Sequence, residues 1–127
     1  MNLEKVIFGF FIILALTLNV GFVVGEISNP GHHSVWMLFT ALLVSLVTTL
    51  LKIGDRSQIG AVFLSASLVA NLQLIIATTV WAVGEGGMDQ PPSQEQMVTI
   101  ISLASGALVA NIVSVLMLVT DTLMSRR

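Results

Sequence analysis

The sequence predicts an all-α integral membrane protein, a four-helix bundle with both termini cytoplasmic, and three observations carry that expectation. Of its 127 residues, 55% are hydrophobic and only 9% charged; the mean hydropathy is +0.96, outside the profile of ordinary water-soluble domains of this size. Four apolar runs recur, each near the ~20 residues that cross a ~30 Å hydrocarbon layer as a helix. The connections between them are short and rich in Gly, Pro and polar residues, which makes consecutive helices antiparallel neighbours. Continuous Leu, Ile and Val rather than alternation favours helices over barrel strands, and helices satisfy their own backbone groups within lipid. The whole chain reads as one domain, residues 1–127.

The first helix is expected over residues 6–24. It follows a single Lys5, exceeds the usual core of a secretory signal, and has no small-x-small site before Gly25 and Glu26, so it reads as retained. Its "LTLNV" stretch places Asn19 inside the run, and Gly21 and Gly25 form a short ridge of small residues. The connection "SNPGHHS" carries His32 and His33; with no third ligand nearby they read as solvated surface, and no metal is expected.

The second helix is expected over 35–51, with Trp36 at its outer end. It leads into "KIGDRSQIG", a turn holding Lys52, Asp55, Arg56 and Gln58. This turn reads as an anchor, with Asp55 pairing with Arg56 or Lys52, or as a docking loop or gate at the inner mouth.

The third helix, 61–83, contains "SLVAN", and the fourth, 97–120, contains "ALVAN". Burying an amide without a partner costs free energy, so the repetition of Asn71 and Asn111 calls for a reason. Both lie near the bilayer middle at matching depth, and they could face each other. The longer match, "SASLVAN" against "SGALVAN", reads either as an inverted repeat of the kind some transporters use or as chance among residues common in membrane helices. At 100° per residue, Ser67, Asn71 and Thr78 fall within about 40° of one another, and Gln73 points about 160° away. Gln73 shares that opposite side with Ala66, Ala70 and Ala77. A helix polar on two sides should be central, touching its own bundle on one face and a pore or another subunit on the other. Trp81 is expected in the outer aromatic belt. The fourth helix carries Ser102, Gly106, Ala110 and Ser114 at intervals of four, a ridge that lets another backbone approach.

Charge sets the expected orientation. Lys5, Lys52, Arg56, Arg126 and Arg127 lie at the two termini and the second connection, which the positive-inside rule makes cytoplasmic. The other two connections hold Glu26, Glu85, Asp89 and Glu95 with no base, a weak attractor for cations. No run has a charged residue or His at its middle, against a proton relay, voltage sensor or pump built on buried charge. There is no Gly-Lys-Ser loop, HExxH or nucleophile-base pair, so neither an enzyme nor a cofactor is expected. Five scattered bases make no nucleic-acid patch. With no cysteine, disulfides and thiolate metal sites are excluded.

The stretches "MNLEKVIFGFF", "KIGDRSQIGAV" and "LVANLQLI" resemble, across essentially the whole chain, a small family of proteobacterial inner-membrane proteins known as a domain of unknown function. The resemblance implies a bacterial inner-membrane location and assigns no residue a role. Two functions remain open. One is a homo-oligomeric channel, conducting a monovalent cation through a pore lined by uncharged polar side chains, with Asn71, Ser67 and Thr78 leading and Asn111, Asn19 and Gln73 as further candidates. The other is a non-conducting accessory subunit of a larger transport or respiratory complex, held through its small-residue ridges and the Lys52 turn. In either case the immediate partner is the lipid bilayer, and the ridges point to a homo-oligomer.

Overall fold

The computed structural model describes residues 3–24, 33–55, 57–84, 87 and 90–124. The expectations placed on Gly25, Glu26, His32, Arg56, Glu85, Asp89, Arg126 and Arg127 lie outside the described residues.

Four helices follow one another: α1 (Leu3–Val23), α2 (Val35–Lys52), α3 (Gln58–Ala82) and α4 (Gln94–Met124). Each is long and apolar enough to cross a membrane, the architecture of a multi-pass membrane protein. Helices α3 and α4 begin ahead of their apolar runs because a helix start is decided by who accepts from its free N–H groups, not by hydropathy. At α3, the Ser57 hydroxyl accepts from the Gly60 N–H at 2.9 Å. At α4, the Gln96 N–H donates to the Ser93 hydroxyl at 3.2 Å while the Ser93 N–H donates to Gln96 Oε1 at 3.3 Å, a reciprocal capping box.

The helices form a closed ring in which α1 packs on α2 and α4, and α3 packs on the same two, with the α3–α4 seam the most extensive. Two apolar clusters fill the interior. At one end Phe8 meets Phe63 edge to face at 5.0 Å, with Ile12 alongside. The larger cluster runs from Ala70 and Ala110 to the other end, where Phe22 packs on Trp81 at 6.4 Å and on His33 at 5.6 Å.

Two expectations are corrected. Trp81 is core, 4% exposed, while Trp36 at 74% is the tryptophan on the exterior; only Trp81 projects onto a neighbouring helix. His33 is buried rather than solvated, and its Nδ1 donates to the Phe22 carbonyl at 2.6 Å. Helix α3 is central, with α2 packed on its Asn71 side and α4 on its Gln73 side, and half-buried Ala66 on the latter side stays open to the exterior.

Candidate functional site

Between the two apolar clusters lies a buried polar layer. Helix α2 contributes Ser45, Thr48 and Thr49, α3 contributes Ser67 and Asn71, α4 contributes Asn111 and Ser114, and α1 supplies only Ala15. Its best-formed part is a clamp between α2 and α3. Ser45 Oγ donates to Asn71 Oδ1 at 2.6 Å, and Asn71 Nδ2 donates to Thr49 Oγ1 at 2.7 Å. The Thr49 hydroxyl then donates to the Ser45 carbonyl at 3.0 Å, closing a loop of hydrogen bonds. In an apolar surround such a loop fixes register, because sliding either helix strands a buried amide.

Asn111 does not meet Asn71. It is buried at matching depth, yet its Nδ2 bonds no protein group. Gln73 turns toward α4, where its carboxamide lies directly over Gly106 and a Cβ there would overlap it; its Oε1 is likewise unbonded. Thr78 spends its hydroxyl on the Leu74 carbonyl at 2.8 Å. Asn19 is 0% exposed inside the larger apolar cluster, and neither of its amide atoms bonds a protein group.

The small residues divide by position. Ala110 and Ser114 are buried and Gly106 is half-buried in the seam, while Ser102 is exposed with its hydroxyl on the Val98 carbonyl at 2.8 Å. Met37 packs over Gly21, where a Cβ would come within 3.3 Å. Outside the α3–α4 seam, Ala66, Gly106 and Ala110 line a shallow apolar groove walled by valines, among them Val69 and Val109.

The second feature is a partly open cavity of about 380 Å³ at the end where α1 begins and α4 ends. It is lined by Glu4, Lys5, Lys52, Asp55 and Asp121 above Phe8, Phe63 and Leu118. The Lys52 ammonium stands 4.2 Å from the centre of the Phe8 ring, a cation–π placement, and pairs with Asp55 Oδ2 at 3.2 Å. Asp55 Oδ1 accepts from the Ser57 hydroxyl at 2.7 Å and the Ser57 N–H at 2.9 Å. Those bonds, with Lys52 after them, hold the Asp55 carboxyl down at about 2, against an ordinary 3.8. The carboxylate also lies over Gly60, leaving no room for a side chain there. The turn is thus a brace joining the end of α2 to the start of α3, with Lys52 as the partner of Asp55 among the described residues. Gln58 sits on the exposed first turn of α3.

Sequence reasoning missed Ser45 and Thr49, although hydroxyls four apart share one helix face. It also missed the cavity, whose walls come from all four helices and a turn.

Residues 32–122 match the Family of unknown function (DUF6394), and the chain belongs to that family. The match takes in α2, α3 and most of α4, while the opening "MNLEKVIFGFF" and all of α1 lie outside it. No curated protein and no solved structure matches the chain.

Proposed function

We propose that this family member is a non-conducting helical subunit of a larger assembly in a bacterial inner membrane, its charged end in the cytoplasm as the positive-inside rule directs. One observation carries the reading. The membrane-level amides are turned inward or packed into a seam, whereas the exterior hydroxyls of Thr17, Thr40, Ser65, Thr79 and Ser102 close on carbonyls of their own helices. Such an exterior suits lipid and apolar helices and offers an ion little to replace its hydration shell. The axis of the bundle is filled as well, with Leu38, Leu74, Met97 and Ile100 all 0% exposed. The face this role buries is the α3–α4 groove, whose small floor admits another backbone.

The second reading is the homo-oligomeric cation channel. It is favoured by the unbonded amide atoms of Asn19, Gln73 and Asn111 and by the acidic charge of the outer connections.

Ionic current through the purified protein in a planar bilayer under a K⁺ gradient, with Asn71→Leu as control, separates the two. Silence from the intact protein is expected, together with cross-linking to a neighbouring helix from Val109→Cys in native membranes. Discrete openings altered by Asn71→Leu would replace the subunit reading with the channel.

A further inference from the structure

The cavity at the charged end is not used by the subunit reading. Three carboxylates and two ammoniums line it, Glu4, Asp55 and Asp121 against Lys5 and Lys52. Lys52 and Asp55 neutralise each other at 3.2 Å. Lys5 on the α1 wall and half-buried Asp121 on the α4 wall have no ion pair among the described residues. The cavity therefore presents opposite charges on two adjoining walls, Lys5 from α1 and Asp121 from α4, over a floor of Phe8, Phe63 and Leu118.

Its level along the helices is equally informative. Helix α1 starts at Leu3, α2 ends at Lys52, and Asp121 falls near the end of α4. The cavity thus opens where the apolar spans stop, the depth at which hydrocarbon gives way to lipid headgroups.

We propose that this cavity binds a phosphoethanolamine group, carried as the headgroup of an aminophospholipid, with the phosphate on Lys5 and the ammonium on Asp121. Charge balance selects a zwitterion. An anionic headgroup answers Lys5 but stands against Asp121, and a simple cation answers Asp121 while leaving Lys5 opposed. A zwitterion satisfies both walls through charge-assisted hydrogen bonds and adds no net charge. The apolar floor accepts the start of the acyl chains.

Native mass spectrometry tests this on the full-length protein extracted from vesicles of equal phosphatidylethanolamine and phosphatidylglycerol. The expected result is roughly fivefold enrichment of the ethanolamine lipid among retained adducts, corresponding to about 1 kcal/mol. Asp121→Asn and Lys5→Gln should each abolish the enrichment. Lys5→Arg should preserve it, as should Glu95→Gln at the opposite end, with helix content by circular dichroism confirming that every variant folds. Enrichment that survives both Asp121→Asn and Lys5→Gln, equal retention of the two lipids, or preference for the glycerol lipid would overturn the proposal. Free O-phosphoethanolamine distinguishes the source: displacement of the lipid by it assigns the site to the headgroup alone, and retention against it assigns the site to the intact lipid.

Discussion

"SLVAN" and "ALVAN" end in the same amide at the same depth of the same bundle, yet their seams hold in different ways. Asn71 faces α2, where Ser45 and Thr49 meet both of its amide atoms at 2.6 and 2.7 Å. Asn111, equally buried, has an Nδ2 that no protein group accepts from. The α2–α3 seam is stitched by directed hydrogen bonds. The α3–α4 seam is the more extensive and relies on close approach over small residues, with Gln73 seated on Gly106. The same Leu-Val-Ala-Asn tetrapeptide can therefore act as a clamp or as a mere occupant, and the facing helix decides which.

The largest effect should come from breaking the clamp. Asn71→Leu removes two interhelical bonds and leaves Ser45 Oγ without its acceptor, so a loss of about 1–3 kcal/mol is expected in denaturant titration of the detergent-solubilised protein. A neutral result would erase the contrast between the seams. Next, Gly106→Ala should cost about 1 kcal/mol because its methyl displaces the Gln73 carboxamide. Adding Gln73→Ala should recover most of that loss, and a double-mutant cycle measures the recovery.

Acidification sharpens the comparison at the turn that joins α2 to α3. The folded carboxyl of Asp55 titrates at about 2 against an ordinary 3.8, so its contribution is present above pH 4 and fades as pH falls toward 2. In Asp55→Asn the thermal midpoint should lose that part of its acid dependence. The smallest effect is expected for Asn111→Leu, within about 0.5 kcal/mol of neutral, since it exchanges an incompletely bonded buried amide for an apolar side chain of similar size. A loss as large as that of Asn71→Leu would show that Asn111 is clamped too.

Much of this was readable along the chain. Continuous runs of Leu, Ile and Val fixed four membrane-length helices, since crossing a hydrocarbon layer depends on length and mean hydropathy. Charges confined to the ends of those runs located the polar ends of the bundle, and the positions of Asn71 and Asn111 gave a polar level near the middle. The helix starts were less legible because hydropathy does not register Ser57 or the Ser93–Gln96 box, even though the residues that form them are in plain view.

What only the tertiary structure decided is which neighbour each side chain meets. A helix that is apolar nearly all round carries little periodic signal for its orientation. That is why Trp81 turned out to be core where a belt residue was expected, and why Asn71 met Ser45 and Thr49 rather than Asn111. The cavity of Lys5, Lys52 and Asp121 likewise assembles residues from opposite ends of the chain, which no local pattern relates. The sequence by itself determined how many helices there are, how far they reach and where charge can stand, because solvation acts on each residue separately. The partners were decided by the close packing of four helices, because hydrogen bonds and small-residue contacts require two surfaces at once.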